Sequence, residues 1–197
     1  VGHGSLVQDV TAAYLTALRL LLEQIDLEAV GRVFQTLRSA RDRRSTIFIA
    51  GNGGSASTAS HWVNDLGKAT KRSGRAPIRV IGLSDNTSWL TALANDEGYE
   101  RAFAGQLENF AQPGDVLIVL SASGNSTNLV KAVELASSRG MTTIALLGFD
   151  GGKLKSIVDE MIWVETEKGA YELVEDAHSV LTHAITKSLI ADRAEND

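Results

Sequence analysis

The chain has 197 residues, enough for one domain with a full hydrophobic core. Hydrophobic residues make up 44% and charged residues 22%, an ordinary globular balance, and a formal net charge of −5 offers no basic field to recruit nucleic acid. There is no cysteine, which excludes disulfides, thiolate zinc sites and a cysteine nucleophile and fits a cytoplasmic protein.

Val1 to Ser5 reads as a disordered end or a vector remnant, so His3 is not read as a ligand. No apolar run reads as long enough to span a membrane, and no signal peptide is visible. Leu6 to Leu37 reads as two helices, with Val10, Tyr14, Ala17, Leu18 and Leu21, then Leu27, Val30, Val33, Phe34 and Leu37, at helical spacing. This pair precedes the first strand and has no slot between strands. It is expected on the flank of the sheet or against another subunit. Arg41 to Arg44 reads as a solvated basic loop.

Ser45 to Ala50 is short, apolar and β-branched, the pattern of a buried strand. It runs into Gly51-Asn52-Gly53-Gly54-Ser55, where glycines permit a sharp turn and close approach of a ligand to the backbone. Ser55 reads as the N-cap of the following helix, and free N–H groups at such a start attract phosphate. No Gly-Lys-Ser/Thr follows, so this is not a P-loop. The Gly-x-Gly-Gly spacing is not the dinucleotide fingerprint either. His61 and Asp65 fall one turn apart on that helix. An imidazole and a carboxylate so placed can share a metal ion or work as an acid–base pair.

Lys68 to Arg75 reads as a mobile surface loop, and Ile78 to Leu83 as a second strand. Asp85 to Ser88 caps a helix that Asn95 to Gly98 stops, and a further helix spans about Glu100 to Phe110. The third strand, Asp115 to Leu120, enters Ser121-Ala122-Ser123-Gly124-Asn125-Ser126 and a helix from Thr127. Hydroxyls and backbone N–H groups there can again converge on an anion without a cation. Thr142 to Leu147 and Met161 to Val164 are the fourth and fifth strands, with a short helix starting at Gly151 to Leu154 between them. The last helix runs from about Tyr171 to near Arg193 and carries Glu175, His178 and His183. His178 reads as a packed or capping residue. Strand and helix alternate without linker, low-complexity segment or repeat. Residues 1–197 are therefore expected to form a single α/β domain with a parallel sheet.

Five blocks together carry a resemblance: Gly51 to Ser55 with His61, Leu90 to Asp96, Ser121 to Ser126, Gly148 to Gly152, and Glu175 to His178 with His183. In this order they resemble the sugar isomerase (SIS) domain, and within it the phosphoheptose isomerases, over nearly the whole chain. The resemblance implies a three-layer fold with a five-stranded parallel sheet, in a homotetramer with active sites at subunit interfaces. It implies a zinc-dependent aldose–ketose isomerase converting sedoheptulose 7-phosphate to glycero-manno-heptose 7-phosphate, with one zinc or other divalent ion per site and no nucleic-acid or membrane partner.

Carried over residue by residue, Asn52, Gly53, Gly54, Ser55, Ser121, Ala122, Ser123 and Ser126 are expected at the substrate, the serines on its phosphate. Asn95 and Asp96 are expected at the sugar. His61, Asp65, Glu175 and His183 fall where the family keeps metal ligands, Asp65 and Glu175 also where it contacts substrate. Asp65 and His183 fall where it keeps its base and acid. Three positions depart from the family: Asp65 stands for Glu, Glu175 for Gln, and Ala122 for Thr. Two further readings follow from the resemblance: an isomerase of another sugar phosphate, or a regulatory SIS protein that binds phosphosugars without turnover. Glu175 and His183 lie about 12 Å apart along a straight helix, too far for one ion. Either different subunits supply them, or the helix is irregular, or they do not bind together.

Overall fold

A computed structural model describes residues 3–193. Two helices lead, α1 (His3–Glu23) and α2 (Leu27–Arg43). Strands β1 (Thr46–Gly51), β2 (Arg79–Gly82), β3 (Val116–Ser121), β4 (Thr142–Leu147) and β5 (Glu160–Trp163) alternate with helices α3 (Gly54–Lys68), α4 (Thr87–Asp96), α5 (Ala104–Phe110) and α6 (Thr127–Ser138). Helix α7 (Tyr171–Ala191) closes the order. The five strands form one sheet in the order β2-β1-β3-β4-β5, parallel at every pairing. Each expected strand lies within one residue of its observed position.

The central strands are apolar over most of their length because both faces are covered. Ile47, Ile49, Val116, Ile118, Leu120, Ile144 and Leu146 point to a core built with Val33, Leu37, Trp62, Leu66, Ala177, Leu181 and Ile185, from α2, α3 and α7. Their neighbours Phe48, Ala50, Leu117, Val119, Ala145 and Leu147 point the other way, to Phe103, Leu107, Leu129 and Val133, from α5, α6 and the turn before α5. The period of two thus sorts one hydrophobic run into two cores. From β1 the chain goes to β2 on one side, then returns to β3 on the other. The strand order reverses between β1 and β3, and crevices at such points collect ligands.

Several expectations change. Helix α2 extends through Arg43, and Arg41 is only 1% exposed. Its guanidinium donates to Ser73 Oγ and to the Leu189 carbonyl, both at 3.3 Å, so tertiary partners override the polarity of this basic run. The segment after α3 is a 3₁₀ turn, Ala69–Ser73, with Thr70 and Ser73 buried, not a free loop. The helix expected from Glu100 is broken into a 3₁₀ turn, Tyr99–Arg101, and α5. Helix α1 already begins at His3, so the expected disordered end does not hold for residues 3–5, and Val1 and Gly2 lie outside the described residues.

Helix α1 also amends the view of apolar runs. Over Ser5–Glu23 its mean hydropathy is 1.2, long and apolar enough by length and composition to cross a membrane. One side of α1 packs on α7, where the Tyr14 hydroxyl donates to Asp176 Oδ2 at 2.6 Å. Burial, then that carboxylate, pushes the Tyr14 phenol up to about 12. Leu6, Val7, Val10, Leu15 and Leu20 on α1 remain exposed.

Candidate active site

Two loops meet at the carboxyl ends of β1 and β3. The first turns through Gly53 at φ 55°, which is the N-cap of α3 and makes no side-chain cap bond. Ser55 therefore is not the cap. It sits inside the first turn, buried, and lines a cavity of about 180 Å³. The second loop follows β3. Ser121 Oγ accepts the Gly124 N–H at 3.0 Å, and Ser126 begins α6 without using its hydroxyl as a cap. Asn52, Ser55, Ser121, Ala122, Ser123 and Ser126 share this cavity with Leu120, Leu129, Tyr171 and Glu175. Among the described residues no lysine or arginine lines it. Its recognition elements are hydroxyls, a carboxamide and the starts of two helices, a set that holds an anion through oriented dipoles.

Glu175 enters from α7. A methyl group on Gly54 would fall 2.3 Å from its Oε1, so the absence of a side chain at Gly54 lets the carboxylate approach the start of α3. Tyr171, one turn earlier, stacks edge-on against Phe149 at 5.0 Å between ring centroids. Sequence reasoning passed over Tyr171, since the first residue of a helix carries no pattern signal.

Further along the same two helices, His61 and Asp65 of α3 meet His183 of α7. The Nε2 atoms of His61 and His183 are 3.4 Å apart, and each lies 3.6 Å from Asp65 Oδ2. The His–Asp separations exceed a hydrogen bond. Ligand atoms about 2.0–2.1 Å from a tetrahedral zinc ion lie roughly 3.3–3.4 Å from one another. The triangle fits that spacing, and two imidazoles with one carboxylate are a zinc-type donor set. Asp65 is 18% exposed, but His61 and His183 are 58% and 52% exposed, so one chain leaves one side of the cluster open.

Within one chain Glu175 lies outside this cluster, which His61, Asp65 and His183 form. Helix α7 is continuous from Tyr171 to Ala191, so no irregularity shortens the path from Glu175 to His183. Within one chain its carboxylate belongs to the anion cavity instead. Asn95 and Asp96 also stand apart. They end α4, are exposed, and Asn95 Nδ2 donates to Asp96 Oδ1 at 2.7 Å without reaching the cavity.

The profile of the SIS domain matches residues 13–148. The chain belongs to the SIS domain family. Among curated SIS relatives, the phosphoheptose isomerase of Helicobacter pylori strain P12 is 38% identical over 180 residues, covering 91% of this chain and 92% of that one. A probable phosphoheptose isomerase of Thermoplasma volcanium is 35% identical over 173 residues, covering 87% and 86%. The solved phosphoheptose isomerase GmhA of Neisseria gonorrhoeae superposes with a TM-score of 0.84 at 28% identity, over 94% of this chain and 99% of that one. The SIS fold, five parallel strands between helical layers, is therefore the fold of this chain, within its phosphoheptose isomerase branch.

His178 lies outside this chemistry. It is fully buried on α7, and burial pushes its imidazole down to about 4, with the Leu147 backbone opposing. A folded state that refuses a proton which the unfolded chain accepts loses stability as pH falls from about 6.5 to about 4. Above that window both states are neutral and His178 adds no pH dependence. Urea unfolding at pH 7 and pH 4.5 should therefore show a pH slope that His178→Gln flattens. An equal slope in both proteins would contradict the assignment.

Proposed function

We propose that this protein isomerises sedoheptulose 7-phosphate to glycero-manno-heptose 7-phosphate, with one SIS domain per chain. The observation that carries the proposal is the pairing of two sites on adjacent helices. The anion cavity lies at the starts of α3 and α7, and the His61–Asp65–His183 cluster lies further along both. From Ser55 to His61 the axial distance is roughly 9 Å. That suits a substrate with a phosphate at one end and reacting carbons at the other. Relatives named as phosphoheptose isomerases support the same substrate.

In the proposed reaction Ser55, Ser121, Ser123 and Ser126, with the N–H groups of Gly53, Gly54 and Ala122, hold the phosphate and position the reacting carbons. Asn52 and Glu175 contact substrate from the cavity wall. Asn95 and Asp96, exposed on one chain, contact the sugar where chains meet. Asp65 takes the proton from C1, beside the carbonyl, which leaves an enediolate, and then returns a proton to C2. His183 moves a proton between the two oxygens as the carbonyl shifts from C2 to C1. His61, Asp65 and His183 would hold a divalent ion, zinc by donor set, which when bound polarises the carbonyl and stabilises the oxyanion.

The exposed cluster and the apolar side of α1 support a homotetramer in which a second chain covers the site. A cytoplasmic location belongs to the same proposal. Light scattering at micromolar concentration should give the mass of four chains, and a monomer would overturn the assembly.

Activity and bound metal, measured together, test the reaction. His61→Ala should lose the metal and most turnover. Asp65→Asn keeps an oxygen for the metal but cannot accept a proton. It should retain metal while turnover falls by roughly 10²-fold or more, the scale of a lost general base. A wild type that turns over sugar phosphates without metal, and is indifferent to chelators, would overturn these roles.

A further inference from the structure

Asn52 and Asn128 face each other across the gap between the end of β1 and the start of α6. Each carboxamide donates to the other, Asn52 Nδ2 to Asn128 Oδ1 and Asn128 Nδ2 to Asn52 Oδ1, both at 2.9 Å. Asn128 is 3% exposed, and its Oδ1 also accepts the Leu129 N–H at 2.9 Å. A backbone N–H can only donate, so Leu129 determines which end of Asn128 is oxygen. Asn128 in turn determines Asn52, whose oxygen must meet the Asn128 amide and whose nitrogen must meet the Asn128 oxygen. The Tyr99 hydroxyl then donates to Asn52 Oδ1 at 2.8 Å. Both lone pairs of that oxygen are now used, while one proton of Asn52 Nδ2 is not. Asn52 lines the anion cavity.

We infer that Asn128 and Tyr99 are positioning residues that lock Asn52 as an obligate N–H donor to the anionic end of the ligand. The inference rests on the phosphosugar reading of the cavity. Without the lock the carboxamide can rotate and offer its oxygen, which an anion repels. The same bonds tie the loop after β1 to the start of α6, so they also set the spacing between the two helix starts that face the anion. Neither partner touches the ligand. Both act through Asn52. An open cavity whose lining includes Asn52, Tyr99, Ser126, Asn128 and Lys131 lies beside this network, and Tyr99 is 53% exposed.

The test is the affinity for inorganic phosphate by calorimetry, with KM, kcat and thermal unfolding, on the wild type, Tyr99→Phe, Asn128→Ala and the double variant. One hydrogen bond is worth about 2- to 13-fold in affinity. Tyr99→Phe should weaken phosphate roughly 3- to 10-fold with its unfolding midpoint unchanged, and Asn128→Ala should weaken it about 10-fold or more. KM should rise by more than kcat falls. The double variant should lose less than the product of the single losses, because both act through one side chain. If Asn128→Ala does not fold, Tyr99→Phe decides alone. Wild-type phosphate affinity in Tyr99→Phe, or no phosphate binding by the wild type, overturns the lock. A network-dependent phosphate affinity in a protein that isomerises no sugar phosphate supports the lock and removes the isomerase reading.

Discussion

Helices α3 and α7 lie side by side on one face of the sheet, and Trp62 holds them there. Its indole is fully buried in the core that both helices share with β1 and β3, and its Nε1 donates to Thr186 Oγ1 at 3.2 Å. An indole in the core needs such a partner for its N–H. The residue before Trp62 is His61, and three positions before Thr186 is His183. One packing contact therefore brings two imidazoles from distant parts of the chain within 3.4 Å. The other ends of the same helices deliver Ser55 and Glu175 to the cavity. Anchoring this pair of helices positions the whole candidate site.

The sheet supplies the second half of the arrangement. Parallel strands with both faces covered present the loops that leave them at one end, and reversal of strand order between β1 and β3 opens a crevice there. Gly53 and Gly54 let the backbone after β1 turn sharply and let Glu175 approach, while Ser121 and Ser126 furnish the loop after β3. A cradle without a cation suits a ligand that must leave after each turnover, because it orients the anion without a fixed ion pair.

The strands were legible because Ile47 to Ala50 and Val116 to Leu120 are unbroken apolar runs between turn residues, a local signal. The i, i+4 pair His61 and Asp65 was legible for the same reason, and the two loops announced themselves by composition. What stayed hidden depends on contacts between distant segments. Arg41 looks like a surface residue until the α7 carbonyl of Leu189 and Ser73 are seen to receive it. Glu175 was expected as a metal ligand from the resemblance, while its closeness to Gly54 within one chain could not be read from spacing along the helix. Asn128 and Tyr99 gave no signal, since a carboxamide inside a helix and an exposed tyrosine matter here only through Asn52.

The central claim is that this site moves a proton between C1 and C2 of a phosphorylated ketose through an enediolate. The most direct measurement is proton NMR of the heptose 7-phosphate formed from sedoheptulose 7-phosphate in D₂O with a divalent ion present. A carboxylate that carries the proton exchanges it with solvent, so the account predicts deuterium at C2 of the product. Product formed with full protium at C2 would show that the migrating hydrogen never exchanges with solvent and would contradict the account, as would the absence of any product.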